Sequence, residues 1–156
     1  MTDISAAERV GTTRVRVRYA ETDRMGVVYY ANYLVWFEVA RTDWLRHTGW
    51  SYREMEAGGT SLPVIESHCE YRRPAHYDDQ LDISTRATLL SPVRIRFDYD
   101  VQRADQLQPL ASGYTVHAAL DSGGRPCRLP DRVREMLGRR PIRSASAGVY
   151  NKGLND

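Results

Sequence analysis

The first regular signal along the chain is an alternation. Over residues 13–19, Val15, Val17 and Tyr19 share one face and Arg14, Arg16 and Arg18 the other, which is the pattern of a half-buried strand. Residues 20–28 hold Glu21, Thr22, Asp23 and Gly26 and read as a loop. From about Tyr30 to His47 the period becomes helical. Tyr33, Trp36, Phe37, Ala40 and Trp44 make one stripe, widened by Leu34, Arg41 and Leu45. An apolar arc this broad predicts a helix pressed into a sheet. Gly49 ends it, and Ser51 with Glu54 three residues on predicts a short capped helix over 51–57.

The remainder reads as strands over 61–73, 81–90, 93–103 and 109–120, separated by Pro74 to Asp79, Ser91-Pro92 and 104–108. Asp121-Ser122-Gly123-Gly124 is a turn, and Pro130 opens a short final helix bearing Val133, Met136 and Leu137. The order is strand, long helix, then four or more antiparallel strands. It predicts an α+β fold in which one long central helix is wrapped by a curved antiparallel sheet of about five strands. Residues 1–12 and 141–156 read as flexible tails around one domain, 13–140.

Composition narrows the setting. A chain of 156 residues, 42% of them hydrophobic, suits a single domain with its own core. No run approaches the ~18 apolar residues of a membrane-spanning helix, and the polar start of the chain lacks the pattern of a secretory signal. Cys69 and Cys127 make neither a disulfide framework nor a zinc site. A cytoplasmic protein is expected. The net charge of +2, without basic runs interleaved with aromatics, argues against nucleic acid as partner. Lys152 is the only lysine, which leaves 21 arginines. Codon preference accounts for most of that bias, and a few arginines are candidates for gripping phosphates.

The densest chemistry lies between Tyr19 and Tyr33. An acid-bearing loop runs directly into the start of the most apolar helix, where unpaired N–H groups and the positive dipole end favour an anion or oxyanion. Gly26 permits close approach of a ligand to the backbone. Asp23 is placed to act as base or nucleophile on a carbonyl polarised there. The residues alone leave open that Asp23 only caps a turn or the helix.

The stretch Tyr19-Ala20-Glu21-Thr22-Asp23-Arg24-Met25-Gly26-Val27-Val28-Tyr29-Tyr30-Ala31-Asn32-Tyr33, continued by Trp36-Phe37-Glu38 and Ala40-Arg41, resembles the signature of the hotdog-fold acyl-CoA thioesterases of the 4-hydroxybenzoyl-CoA thioesterase-like family. Leu62-Pro63-Val64, Tyr71-Arg72-Arg73-Pro74 and Tyr77-Asp78-Asp79 extend the likeness, which spans about Val15 to Leu137. The resemblance implies hydrolysis of an acyl-CoA thioester to free acid and coenzyme A, with no metal or other cofactor. Asp23 would be the catalytic carboxylate, as general base on water or as nucleophile forming a mixed anhydride. The backbone N–H of Tyr30 would hold the carbonyl oxygen, in a segment that includes Gly26, Val27 and Val28. Some bacterial members carry His where this chain has Tyr30, so only the backbone role carries over. Glu38 falls where some members place an acid toward the far end of the acyl group; an ion pair with Arg41, one turn on, is the competing role. Arg94 and Arg96, on one face of their strand, and Arg72 and Arg73 are candidates for coenzyme A phosphates, with Arg125 and Arg128 behind them. A homodimer or homotetramer with the site between subunits is implied.

Other constellations carry less. His68 and Cys69 are adjacent on a strand and so face opposite sides, which argues against a thiol–imidazole pair. Cys69 is expected to be buried and inert, His68 to belong to a polar surface, and His76 and His117 show no evident partner. Trp50 is a candidate for the acyl pocket. Three functions compete with acyl-CoA hydrolysis: cleavage of acyl-carrier-protein thioesters, non-catalytic acyl-CoA or partner binding, and hydration. The last usually needs a His where Tyr30 stands.

Overall fold

The computed structural model describes residues 10–49 and 51–138. The elements in chain order are β1 (Val10–Arg16), a 3₁₀ turn (Tyr19–Glu21), α1 (Asn32–His47), α2 (Tyr52–Ala57), β2 (Val64–Tyr71), β3 (Gln80–Ser91), β4 (Arg94–Arg103), β5 (Gln108–Ala118) and α3 (Asp131–Gly138). The strands form one antiparallel sheet in the order β1-β3-β4-β5-β2. It packs against the apolar face of α1, as predicted. The expected contacts of Trp50 lie outside the described residues.

Boundaries moved where turn chemistry overrides periodicity. β1 begins at Val10, paired with Arg86, inside the segment read as tail, and ends at Arg16. Tyr19, assigned to a buried strand face, sits in the 3₁₀ turn and is 77% exposed. α1 begins at Asn32, two residues later than expected, because residues 29–31 close their own turn. On α1, Tyr33, Trp36, Phe37, Ala40, Trp44 and Leu45 are buried, but Leu34 points outward. Ser51 caps α2 as predicted, accepting the Glu54 N–H.

The helix sits close to the sheet because β5 has no side chain at Gly113. A Cβ there would fall 2.8 Å from the Phe37 ring and 2.3 Å from the His68 carbonyl oxygen. Phe37 uses the space to stack on Tyr99 of β4, with ring centroids 4.3 Å apart and planes 4° from parallel.

A chain of polar side chains crosses this core. The Arg41 guanidinium, 8% exposed, donates to Tyr52 Oη from Nε (3.0 Å) and to Tyr99 Oη from Nη1 (3.3 Å). Tyr99 Oη meets Thr115 Oγ1 at 2.7 Å, and Thr115 Oγ1 meets His117 Nε2 at 2.8 Å. His117 Nδ1 lies 2.9 Å from the Leu62 carbonyl oxygen. A guanidinium only donates and a carbonyl only accepts. One assignment therefore satisfies every member: Tyr99 donates to Thr115, Thr115 to His117 Nε2, and His117 Nδ1–H to Leu62. His117, expected to lack partners, is a neutral imidazole with both nitrogens occupied. Arg41, expected to widen an apolar stripe or pair with Glu38, is instead drawn inward by two tyrosines.

Burial pushes the His117 pKa down to about 4 from 6.5, and the nearby Arg41 charge acts in the same direction against the Leu62 bond. In this window the unfolded chain binds more protons than the folded one. The stabilisation is complete above pH 6.5 and is lost as pH falls toward 4, by about 3 kcal/mol. Chemical-denaturant unfolding at pH 7 and pH 4.5 should therefore show a steeper loss for wild type than for His117→Gln; equal losses would rule out this role.

Candidate active site

Residues 22–28 form a tight hairpin. Thr22 and Val28 bridge, the Asp23 N–H donates to the Val27 carbonyl at 2.9 Å, and the Gly26 N–H donates to the Asp23 carbonyl at 3.0 Å. Asp23 Oδ1 accepts the Met25 N–H at 2.8 Å, the local bond that favours Asp at the first position of a turn. Gly26 closes the turn at φ +76°, and nothing lies within 4 Å of where its Cβ would be. Glycine is needed there for backbone conformation rather than for space. Asp23 thus does cap a turn, but with one oxygen only; among the described residues Oδ2 has no hydrogen-bond partner. The carboxylate is half-buried.

The hairpin is fixed to the 74–79 turn. The Val28 N–H donates to the Ala75 carbonyl (2.9 Å) and Val27 bridges His76. That turn is braced by Asp79, whose Oδ2 accepts from the His76 N–H at 2.8 Å and Arg103 Nη1 at 2.7 Å. The motif segments at 71–74 and 77–79 therefore converge on the loop that carries Asp23.

Behind the hairpin lies Glu21, a residue 6% exposed. Oε1 accepts the Arg18 N–H at 2.9 Å and Oε2 accepts Trp36 Nε1 at 2.9 Å. The Glu21 carbonyl accepts the Tyr29 N–H (2.9 Å) and Asn32 Nδ2 (2.8 Å). Sequence reasoning passed over Glu21 and Asn32 as motif letters. The available signal was Trp36, since a buried indole N–H needs an acceptor.

Tyr30 lies in the turn before α1 rather than in its first turn. The amides of Asn32, Tyr33 and Leu34 are taken by the carbonyls of Tyr29, Tyr30 and Ala31. Among the described residues neither the Tyr30 nor the Ala31 N–H meets an acceptor, so the open donors precede the helix instead of belonging to it. The Tyr71 hydroxyl donates to the Tyr30 carbonyl at 3.0 Å. Burial and the Cys69 thiol raise the Tyr71 pKa, which keeps that hydroxyl a donor. Its ring meets Tyr30 and Tyr33 edge-on, at 6.5 and 5.1 Å.

The remaining candidates separate. Glu38 is exposed, about 9 Å along the axis from the helix start, and makes no ion pair among the described residues. The Arg72 and Arg73 amides both donate to Leu110 at one end of β5, whereas Arg94 pairs with Ala118 and Arg96 with Val116 near the other. At ~3.3 Å per residue the two pairs stand about 20–26 Å apart along the sheet. Only Arg72 and Arg73 share the Asp23 end. Arg94 and Arg96 do share a face, but the Arg96 guanidinium is paired with Asp98 (Nη2 to Oδ1, 2.9 Å) and lies 3.9 Å over the Tyr114 ring.

His68 and Cys69 face opposite sides of β2, as expected. His68 stacks on Tyr114 at 5.3 Å, and half-buried Cys69 has its thiol pKa raised by burial. Among the described residues no group of three or more His, Cys, Asp or Glu could hold a metal ion, and no helix is long and apolar enough to cross a membrane.

Comparisons with known proteins agree with this architecture. The chain is 45% identical over 76 residues to YneP of Bacillus subtilis (strain 168), provisionally named an acyl-CoA thioesterase; the match covers 49% of this chain and 55% of that one. It is 32% identical over 124 residues to a 1,4-dihydroxy-2-naphthoyl-CoA hydrolase of Synechococcus elongatus, covering 78% and 90%. Among solved structures, the 1,4-dihydroxy-2-naphthoyl-CoA thioesterase Slr0204 from Synechocystis superposes with a TM-score of 0.78 at 26% identity, over 85% of this chain and 99% of that one. The model of the thioesterase-like superfamily matches residues 17–137. That match takes in most of the chain, from Val17 to Leu137: the chain belongs to the thioesterase-like superfamily and has the hotdog fold.

Proposed function

We propose that this acyl-CoA thioesterase cleaves its substrate to free acid and coenzyme A using Asp23, with the thioester carbonyl held by the Tyr30 amide. The observation that carries this is the pairing of a turn-locked carboxylate, Oδ2 unengaged, with a backbone donor that meets no acceptor among the described residues. As general base, Asp23 takes a proton from water while the water oxygen attacks the carbonyl carbon; the resulting oxyanion rests on the amide. The C–S bond then breaks and the thiolate leaves. As nucleophile, Asp23 attacks directly, expels the thiolate and leaves a mixed anhydride for water to cleave.

Carrier-protein thioesters are a weaker reading, because that docking relies on a basic stripe and Arg96 is neutralised by Asp98. Asp23→Asn removes base and nucleophile while keeping the shape. It should lower kcat by about 100-fold or more on a panel of aromatic and straight-chain acyl-CoA thioesters, followed with a thiol reagent. Full turnover in that variant, or no cleavage by wild type, would sink the assignment.

Arg72 and Arg73, at the Asp23 end, are assigned to the phosphates of coenzyme A. Arg73→Ala should raise KM for an acyl-CoA by about tenfold and leave KM unchanged for the matching acyl-N-acetylcysteamine, which has no phosphates. Equal effects on both substrates would remove the phosphate role.

A second copy of the chain completes the assembly. Among the described residues β2 pairs on one side only, with β5, and presents Val64, Ile65 and Tyr71 at 47–49% exposure. Leu34, Val35 and Val39 of α1 are 40–52% exposed. An open strand edge and an exposed apolar helix face each favour association of like surfaces. Antiparallel pairing of two β2 edges would bring the Arg94 end of one copy to the Arg73 end of the other. Light scattering should give a dimer or a multiple of it; a species of 17.9 kDa would refute this.

A further inference from the structure

We propose that Glu21 is a positioning residue that sets the Asp23 carboxylate and the Tyr30 amide in register with each other. The inference rests on the catalytic reading above. Asp23 and Tyr30 lie on separate pieces of backbone: the hairpin turn and the turn that enters α1. Glu21, two residues before Asp23 in the chain, bonds to the turn that enters α1 and to the helix beyond. Its carbonyl accepts the Tyr29 N–H, which closes the hairpin one residue before Tyr30, and also Asn32 Nδ2 from the first residue of α1. Its Oε2 accepts the indole N–H of Trp36, one helical turn further in. Its Oε1 accepts the Arg18 N–H on the incoming chain.

The Tyr29 carbonyl is occupied by the Asn32 N–H at 3.0 Å. In a trans peptide the following N–H points the opposite way, so the Tyr30 N–H is turned away from the helix body. Its direction is therefore fixed by the Tyr29–Tyr30 peptide, whose carbonyl Asn32 holds, while Glu21 holds the N–H of the peptide just before it. Glu21 is not itself an acid or base for the reaction, because it is 6% exposed and both side-chain oxygens already accept from the protein.

The requirement for a carboxylate is specific. Two opposed N–H donors, from Arg18 and Trp36, each need an accepting oxygen. A carboxamide has one oxygen and one NH2 group, so Glu21→Gln sets a donor against a donor. Replacing Trp36 by Phe removes that donor and lets the amide group sit against a ring.

The test is steady-state kinetics on an acyl-CoA substrate for E21Q, W36F, the E21Q/W36F double variant and D23N, with folding checked by circular dichroism. E21Q should lower kcat by about tenfold or more with KM within about twofold, since small misplacements of reacting groups are costly. The double variant should turn over about as fast as W36F alone, a rescue that a general loss of stability would not give. The proposal is overturned if folded E21Q keeps kcat within about twofold, or if the two losses multiply in the double variant. Should E21Q not fold, N32A removes the bond to the Glu21 carbonyl; it should show the same kcat loss at unchanged KM, and full kcat there overturns the proposal. Full turnover in D23N overturns the catalytic reading instead, and Glu21 is then judged by kcat at the Tyr30 amide alone.

Discussion

Phe37 lying flat on Tyr99, in the space left by the missing side chain of Gly113, sets the depth at which the helix enters the sheet. Everything at the site follows from that depth. With α1 seated there, Trp36, the residue before Phe37, reaches Glu21, and Glu21 bonds Tyr29 where the hairpin carrying Asp23 closes. The 74–79 turn, braced by Asp79 and Arg103, supports the hairpin from the other side. Chemistry is carried by a loop, but a loop tied on one side to α1 and on the other to the 74–79 turn.

Much of the fold was legible because two periods dominate. Alternation marked the first strand, turn residues set off the others, and a five-residue apolar stripe, four of it aromatic, marked the helix. Boundaries slipped at turns: the bonds that close residues 29–31 leave no trace in hydrophobic pattern, so the helix start was read two residues early. That error moved the Tyr30 amide from the first helical turn to the segment before it, without moving Tyr30 from the site.

The site was legible in part. Asp23 and Gly26 stand out through turn chemistry, and the motif sharpens them. Glu21 and Trp36 are 15 residues apart and meet only through the fold. Arg41 looked like a stripe residue or a partner for Glu38, because neighbours on a helix surface are visible in sequence and the hydroxyls of Tyr99 and Tyr52 are not. The period-two rule that puts Arg94 and Arg96 on one face also puts Asp98 there, so that neutralisation was within reach. The distance between the two arginine pairs was not, since it depends on strand order.

The polar chain from Arg41 to the Leu62 carbonyl bears on uniqueness as much as on stability. Apolar side chains pack acceptably in several rotations of a helix, and a broad aromatic stripe tolerates more than one. The chain does not. Turning α1 by one residue, about 100°, would carry the guanidinium away from both tyrosines, orphaning its buried N–H groups and taking a donor from the Tyr52 and Tyr99 hydroxyls. A donor at one end and a carbonyl at the other act as a key that fits at a single angle. The aromatic contacts drive the helix onto the sheet, and the polar chain selects which face it shows.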